Sequence, residues 1–283
     1  MRILIIGSSG FIGRNFLKSI RIYKSLELMT TYNSNCNNNE SVKYKLGDKL
    51  PPKIIQFKPE IVINLAWIGI PDFSIKTSGI NEKKHKLFIN KITKLKSIKK
   101  IIYAGSCVEY KSKLNSKDFE KYKYFIKSKK EILLHLKMKS NVRNINHKWL
   151  RIFYVYGKGQ RSKSLISQII KSIKNNKRPS INNVYGNHDF VYIEDVCSAL
   201  MRLIFDKKKK VTYDIGAGKA TFILDILRII ELNLNKNNNF YKSYIHKNIS
   251  LKNKTSYTKL IAKKSFHDLP KYQTNIGIKK VLF

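Results

Sequence analysis

The chain of 283 residues carries a formal net charge of +39 and contains three cysteines. This length suits one large domain, or one domain with a smaller lobe, and allows a substantial apolar core. The cysteines form no CxxC pair, which argues against a zinc site or a disulfide framework, and no apolar run is long enough for a membrane helix. We therefore expect a reduced, cytoplasmic protein with no metal, no membrane contact and no secretory signal before its first strand.

The strong positive charge invites a nucleic-acid interpretation. Lysine is nevertheless spread over almost every segment, together with many isoleucines, asparagines and tyrosines, which share A/T-rich codons. The one tight cluster, Lys207 to Lys210, lies between a helix signal and a strand signal, where a solvated loop is expected. We expect no nucleic-acid partner, although a positive field would help to capture phosphorylated substrates.

The first fifteen residues carry the strongest local pattern. Arg2 to Ile6 is a short branched apolar run, typical of a strand buried on both faces, and helical periodicity follows it. Between them, glycines recur at three-residue spacing. This order of strand, glycine turn and helix predicts a site for a dinucleotide diphosphate, the alternative being an ordinary strand-to-helix turn. The expected cofactor contacts are Gly7, Ser9, Gly10, Phe11, Ile12 and Gly13.

The next two predicted strands bear on the choice of cofactor. Leu26 to Thr31 ends without the carboxylate that would bind the 2′-hydroxyl of NAD, and without an arginine for a 2′-phosphate. We expect NAD or NADP, with a slight preference for NADP. After a polar loop at 33–40, Val42 to Leu46 forms the third strand. Asp48 follows it and is either an adenine contact or a helix cap, and both remain open.

Strands and helices continue to alternate through the first half. Pro51 to Phe57 is predicted as a short helix, Ile61 to Ala66 as strand four, Leu87 to Ile98 as a helix and Lys100 to Tyr103 as strand five. Leu65 and Ala66, at the end of strand four, are expected to contact the cofactor. This alternation predicts an α/β fold with a Rossmann-type, doubly wound parallel sheet.

Several motifs occur in an order that is informative as a set. They are the three glycines, Gly47-Asp48, Asn64-Leu65-Ala66, Ala104 to Tyr110, Arg151 to Gly157, Asn187 to Val196 and Asp214 to Gly218. Together they resemble the extended short-chain dehydrogenase/reductase superfamily, the NAD(P)-dependent nucleotide-sugar epimerases, dehydratases and reductases. The resemblance covers nearly the whole chain.

This resemblance implies catalysis by a serine, a tyrosine and a lysine four residues after the tyrosine. Ser106 matches the serine and Lys129 the lysine, but Phe125 stands where the tyrosine belongs. Phenylalanine has no proton to transfer, a loss that typically costs about 10²–10⁴ in rate. Three explanations stay open: Tyr124 swings in, Ser106 or a water relays the proton, or catalysis has been lost.

The same resemblance suggests the substrate contacts. Tyr110 is expected to line a sugar pocket beside Ser106, while Tyr154 stands where the family carries an asparagine that faces the substrate. His188 replaces an arginine that often approaches the diphosphate, and Arg178 or Arg161 could supply the missing charge.

The second half predicts a smaller C-terminal α+β lobe that binds substrate. We expect a dinucleotide-binding domain at 1–157, to which part of 184–214 returns, and a mainly substrate-binding lobe at 158–283. The function implied by the resemblance is 4-epimerisation or 4-keto reduction of a nucleotide-linked sugar, in surface polysaccharide or deoxysugar synthesis. Dehydration is less favoured because Glu109 has no aspartate before it. The alternative is a catalytically impaired NAD(P)-binding sensor or scaffold, and a homodimer is possible.

Overall fold

A computed structural model of the chain describes residues 1–32, 41–113, 117–236, 238–245 and 260–283. The predicted loop at 33–40 lies outside the described residues. The chain forms two units, residues 1–151 with 200–213, and residues 152–199 with 214–283. The domain division given above, at residue 157 with a return within 184–214, stays a prediction.

Eleven strands and nine helices occur in the described part of the chain. The strands are β1 (Arg2–Ile6), β2 (Glu27–Tyr32), β3 (Ser41–Lys43), β4 (Ile61–Asn64), β5 (Lys100–Ser106), β6 (Asn146–Ile152), β7 (Tyr154–Tyr156), β8 (Asn187–His188), β9 (Phe190–Tyr192), β10 (Thr212–Ile215) and β11 (Thr221–Phe222). The helices are α1 (Phe11–Ile20), α2 (Pro52–Phe57), α3 (Ile75–Ile92), α4 (Lys117–Val142), α5 (Leu165–Lys174), α6 (Ile193–Phe205), α7 (Ile223–Asn233), α8 (Phe240–Ile245) and α9 (Thr274–Leu282). A 3₁₀ helix spans Cys107–Lys113.

A seven-stranded sheet in the order β10-β6-β5-β4-β1-β2-β3 runs through the first unit. Strand β1 pairs in parallel with both β2 and β4, and the pairs β2–β3 and β4–β5 are also parallel. The strand order reverses between β1 and β4, and ligands of such sheets bind at the carboxyl ends of the strands beside this point. The predicted fold class, a Rossmann-type doubly wound sheet, is confirmed.

The central strands are buried because their residues are apolar on both faces. Ile3, Leu4 and Ile5 of β1 are fully buried, as are Val62 of β4 and Ile101 of β5. Burial of such side chains contributes about 1.5–3 kcal/mol each. The core therefore fixes the positions of the strand ends, where the site residues begin.

Helix α3 is the largest departure from the predicted elements, which placed a helix at 87–98. It begins at Ile75, where Ser74 accepts a hydrogen bond from the backbone of Thr77, and it ends at Ile92. Its first turns bury polar side chains, and so they lack the apolar period that would have marked them. The polar residues buried in these turns are Ser78, Asn81 and His85.

Smaller differences concern strand and helix ends. Strand β3 is shorter than predicted, β4 ends at Asn64, and β5 continues to Ser106. The polar run 233–241, predicted as a loop, contains the start of α8, whose first backbone N–H groups bond to the buried carboxylate of Glu231. A non-local carboxylate therefore supports a helix that the local sequence does not predict.

The second unit contains a parallel pair, β7–β9, and an antiparallel pair, β8–β11. Three buried carboxylates hold its segment 262–272 through backbone N–H groups. Asp189 accepts from Ala262, Asp214 from Lys263, and Asp195 from both Lys271 and Tyr272, as the hydrogen bonds show. Burial raises the pKa of Asp189 and of Asp195, while the backbone donors lower it.

Candidate active site

A glycine turn joins β1 to α1. Gly7 has φ of +81°, a conformation that favours glycine, and its carbonyl accepts from the Gly10 N–H at 3.1 Å. A β-carbon on Gly13 would lie 2.3 Å from that carbonyl oxygen, and one on Gly7 would lie 2.6 Å from the Ala66 nitrogen. Both glycines are therefore required by close backbone packing. The turn leaves the N-terminus of α1 open to an anion.

The glycine turn forms one wall of a cleft of about 220 Å³ in the first unit. Five of the predicted cofactor residues line it, namely Gly7, Ser9, Gly10, Leu65 and Ala66. The other predicted cofactor residues, Phe11, Ile12, Gly13, Asp48 and Lys129, do not line this cleft. The cleft lies at the carboxyl ends of β1 and β4, where sheets of this type bind their ligands.

The sequence allows two roles for Asp48, an adenine contact or a helix cap. Its side chain is exposed, and the residue that precedes α2 is Pro51, with no side-chain cap. The cap interpretation is therefore wrong. The adenine contact stays a prediction, since Tyr44, Lys45 and Leu46 of the same segment line the cleft.

Sequence reasoning missed part of the cleft. Tyr32, Tyr44, Lys45, Trp67 and Lys84 also line it. Trp67 follows Ala66 directly, so its position was readable from the strand end. Lys84 comes from α3, whose first turns were not predicted, and no local signal placed it near the glycine turn.

Ser106 lies half-buried at the end of β5. Its backbone N–H donates to Oε1 of Glu109 at 2.7 Å, and its hydroxyl accepts from the Val108 N–H at 3.4 Å. The Glu109 carboxylate also accepts from Nε1 of Trp149 and from Nε of Arg151. A buried carboxylate thus fixes the loop that carries Ser106.

Tyr110 is held beside this loop by an arginine. Its hydroxyl accepts from Nη1 of Arg151 at 3.0 Å, and the guanidinium carbon lies 4.5 Å from the centre of its ring. This pairing orients the Tyr110 ring, and whether the ring contacts a sugar stays a prediction.

Helix α4 presents Lys129 to the interior, whereas Lys127 is exposed. The Lys129 ammonium donates to the Ala104 carbonyl at 2.8 Å and lies 4.1 Å from the ring centre of Trp67. Burial lowers the pKa of Lys129 to about 8, and the Glu109 carboxylate raises it in part. An amine with such a pKa exchanges its proton near neutral pH.

Phe125 occupies the family's tyrosine position and is only 3 % exposed. Its ring packs edge-on against Trp67, with ring centres 4.8 Å apart, and against Phe73 at 5.1 Å. Tyr124 is half-buried, and the Lys123 ammonium lies over its ring. The two neighbouring rings point in different directions on the helix, so a catalytic role for Tyr124 stays a prediction that needs movement of the helix start.

The residues predicted to bind substrate in the second unit fall into two places. The rings of Tyr154 and His188 lie together, with centres 4.3 Å apart. Arg178 is exposed, and its guanidinium carbon lies 4.2 Å from the ring centre of Tyr244 in α8. The structure thus pairs the first two residues, while Arg178 stacks on another element.

Within the described residues, no group of three histidine, cysteine or acidic side chains is arranged for a metal ion. The described helices also include none with the length and apolar character needed to cross a bilayer.

The sheet order and the glycine turn after β1 define a Rossmann-type fold. Comparison with known families agrees, because the NAD dependent epimerase/dehydratase family matches residues 3–216. The chain belongs to this family, which confirms the resemblance noted in the sequence.

Relatives and one solved structure illustrate the similarity. Protein CapI of Staphylococcus aureus is 27% identical over 233 residues, which are 72% of this chain and 69% of that protein. CDP-abequose synthase of Salmonella muenchen is 31% identical over 84 residues, 29% of each chain. The UDP-glucuronic acid 4-epimerase of Bacillus cereus, in complex with UDP-glucuronic acid and NAD, matches with a TM-score of 0.71 and 20% identity, covering 83% of this chain and 84% of its own.

The glycine turn gives a direct prediction. Substitution Gly13→Ala should lower the free energy of unfolding by about 1–3 kcal/mol, because the new methyl group collides with backbone. Displacement of the turn should also weaken dinucleotide binding by about tenfold or more. Denaturant unfolding and calorimetric titration measure the two effects.

Gly79→Ala provides the matched control, because a β-carbon on this α3 residue would meet nothing within 4 Å. It should leave binding unchanged and stabilise the helix by about 0.5–1 kcal/mol. Equal loss of binding in both variants would contradict the assignment of the turn.

Proposed function

We propose that the protein binds a nicotinamide dinucleotide in the cleft of the first unit and catalyses 4-epimerisation or 4-keto reduction of a nucleotide-linked sugar. The observation that carries this proposal is the glycine turn, whose close backbone packing leaves no room for a β-carbon on Gly7 or Gly13. The turn lines the cleft through Gly7 and Gly10, where we expect the diphosphate. The buried Lys129 and the end of β5 lie in the same unit. Family membership and the ligands named for the relatives point to the same class of reaction.

Each residue has a proposed task. The glycine turn binds the diphosphate through backbone N–H groups and the N-terminus of α1. A bound nicotinamide supplies hydride donation and acceptance. Ser106 orients the sugar oxygen, since a hydroxyl that accepts from Val108 can still donate its own proton. Lys129 contributes a positive charge near the nicotinamide ribose, as the resemblance implies.

Stabilisation by ligands tests this proposal. Melting temperatures should be measured with NAD or NADP, alone and together with UDP-, GDP-, CDP- and dTDP-sugars. We expect one dinucleotide and one class of nucleotide sugar to raise the melting temperature. At a ligand concentration 100 times the dissociation constant, the free energy of unfolding should rise by about 2.7 kcal/mol. Turnover of the sugar that disappears in Ser106→Ala supports the reaction, and failure of both dinucleotides to bind overturns it.

A second candidate function is a catalytically impaired NAD(P)-binding sensor or scaffold. The observation in its favour is Phe125, which carries no proton to transfer and is packed into an aromatic cluster. This candidate predicts tight dinucleotide binding without turnover of any nucleotide sugar. Sugar-dependent oxidation or reduction of the nicotinamide above the Ser106→Ala background would exclude it.

We further propose that the cleft prefers NADP to NAD. Among the described residues, those that line it include Lys45 and Lys84 and no aspartate or glutamate. A 2′-phosphate would meet the positive charge of these lysines. No described lining residue offers the 2′-hydroxyl a carboxylate as acceptor.

Substitution Lys84→Ala should weaken NADP binding by about tenfold, which is about 1.4 kcal/mol, and change NAD binding by less than about threefold. Titration with both dinucleotides at one ionic strength measures this difference. Lys83→Ala is the matched control, because Lys83 is exposed and does not line the cleft. If Lys84→Ala weakens the binding of NAD and NADP equally, Lys84 does not recognise the 2′-phosphate.

We also propose a homodimer that uses α3 and α4. These helices pack together in the first unit. Helix α4 exposes an apolar stripe at four-residue spacing, consisting of Leu134, Met138 and Val142. A second copy could bury this stripe through an isologous contact. Light scattering should give twice the chain mass, and Leu134→Glu should return the protein to a monomer.

A further inference from the structure

Trp67 belongs to two environments in the first unit. Its side chain lines the cleft, together with Gly7 and Ala66. The same indole ring has its centre 4.1 Å from the ammonium nitrogen of Lys129. At this distance the ring face attracts the cation, with a strength of about 2 kcal/mol when the pair is desolvated. Trp67 therefore connects the cleft wall to the buried lysine.

Lys129 itself is enclosed. It is 4 % exposed, and three aromatic rings lie around its ammonium group. The ring centres of Phe125 and Trp149 lie 5.6 and 5.8 Å from the nitrogen, farther than that of Trp67. Of these three residues, only Trp67 lines the cleft. The Trp67 indole is thus the aromatic group placed to screen the ammonium from a ligand in the cleft.

Trp67 also packs against Phe125, the residue at the family's tyrosine position. Phe125 is buried, and its ring meets the Trp67 ring edge-on. A hydroxyl added to Phe125 would therefore enter a packed aromatic cluster. Both Trp67 and Phe73 pack against that ring.

The Trp67 indole also carries an unsatisfied donor. Its Nε1 is buried and has no hydrogen-bond partner among the described residues. Leaving a buried donor unpaired costs about 1–3 kcal/mol. A movement that gives this N–H an acceptor recovers this cost, against the lost attraction between the ring and Lys129. The phosphates, ribose hydroxyls and carboxamide of a nicotinamide dinucleotide all offer acceptors.

We propose that Trp67 controls access to Lys129: the indole screens the ammonium in the free protein and moves when a dinucleotide supplies an acceptor for its N–H. This inference rests on the proposed dinucleotide site. Trp67 acts through Lys129 and is a positioning residue. It explains how a lysine beside the cleft can be buried and remain reachable.

Acetylation of lysines under limiting acetic anhydride, mapped by mass spectrometry on the full chain, tests the screen without any need for activity. The acetylation rate of Lys129, divided by that of the exposed Lys127 in the same sample, should be at least tenfold higher in Trp67→Ala than in the parent. Lys148, which is 0 % exposed, reports unfolding and should remain unmodified. The matched control is Ile68→Ala, which alters a neighbouring residue of the cleft wall and should leave Lys129 protected.

Three outcomes would contradict a screening role for Trp67. Lys129 could be acetylated rapidly in the parent, it could be acetylated as slowly in Trp67→Ala as in the parent, or it could be acetylated as fast in Ile68→Ala as in Trp67→Ala. If Trp67→Ala also exposes Lys148, Trp67→Phe takes its place, since it keeps a ring and removes the N–H. It should raise the Lys129 rate about threefold or more, and an unchanged rate contradicts the proposal.

Ligand addition tests the movement separately. Saturating NADP or NAD should change the tryptophan emission excited at the red edge, where tyrosine does not absorb. The change should disappear in Trp67→Phe, which leaves the buried Trp149 as the only tryptophan. A dinucleotide that binds by calorimetry with no change in Trp67 emission overturns the movement. Failure of both dinucleotides to bind contradicts the proposed function, and the acetylation result still decides whether Trp67 screens Lys129.

Discussion

Substitution of Lys129 by methionine is expected to stabilise the folded protein while it removes nucleotide-dependent activity. The ammonium is buried among aromatic rings, and burial lowers its pKa from the ordinary 10.5 to about 8. That difference corresponds to roughly 3 kcal/mol of unfavourable burial at neutral pH, part of which is offset when the bond to the Ala104 carbonyl is lost. We expect a net gain of about 1–2 kcal/mol in the free energy of unfolding.

The pH dependence of this gain has a defined sign. The folded pKa lies below the unfolded one, so between about pH 8 and 10.5 the unfolded chain binds more protons than the folded chain. The parent therefore becomes more stable, with respect to this group, as the pH rises through that window. Denaturant unfolding should show the difference between Lys129→Met and the parent shrinking from pH 7 to pH 10.

Activity should change in the opposite direction. Lys129→Met should lower sugar turnover by about 100-fold or more, because the variant lacks the buried cation that bonds to the Ala104 carbonyl near the end of β5. The control is Lys127→Met, which changes an exposed lysine two residues earlier on α4. It should leave stability and turnover almost unchanged. A destabilised Lys129→Met, or a stability difference that grows with pH, would contradict the buried-charge account.

The part of the site that the sequence predicted is local. Gly7 and Gly10 could be placed because a strand, a turn and a helix follow one another within a few residues. The serine position at Ser106 could be placed because it ends a strand of apolar residues. In each case the order of neighbouring residues is enough to predict the turn or the strand end.

The missed part depends on contacts between distant segments. Lys84 reaches the cleft from the part of α3 that buries polar side chains, among them Asn81 and His85. His85 bonds to the hydroxyl of Tyr103 at 2.6 Å, and burial lowers its pKa well below the usual value. A buried polar network of this kind has no apolar periodicity, and so no hydrophobic pattern in the sequence predicts it.

The role of Trp67 illustrates the same limit. Its place after Ala66 was readable, but its contact with Lys129 joins residues 62 positions apart across the sheet and α4. The substitution at Phe125 was visible in the sequence, whereas its burial against Trp67 and Phe73 was not. Side-chain packing between elements decides which of these groups a ligand can reach.

Substitution of Glu109 by alanine is expected to cost about 3–5 kcal/mol of stability and to disorder the loop that carries Ser106. The carboxylate is buried and accepts from the Ser106 backbone, the Trp149 indole and the Arg151 guanidinium. Alanine leaves all three donors without this acceptor, and the half-buried Arg151 loses its counter-charge. Urea unfolding measures the loss of stability, and sugar turnover should fall together with it.

Two variants separate charge from hydrogen bonding. Glu109→Gln keeps an acceptor for Ser106 or Trp149 and removes the charge, so its loss should lie between those of the parent and Glu109→Ala. Glu131→Ala is the matched surface control, because its 3.1 Å ion pair with Lys86 joins a side chain that is 41% exposed. Such a pair contributes about 0–1 kcal/mol. If Glu109→Ala cost no more than Glu131→Ala, the carboxylate would not be what fixes Ser106, and the proposed orientation of the sugar oxygen would lose its support.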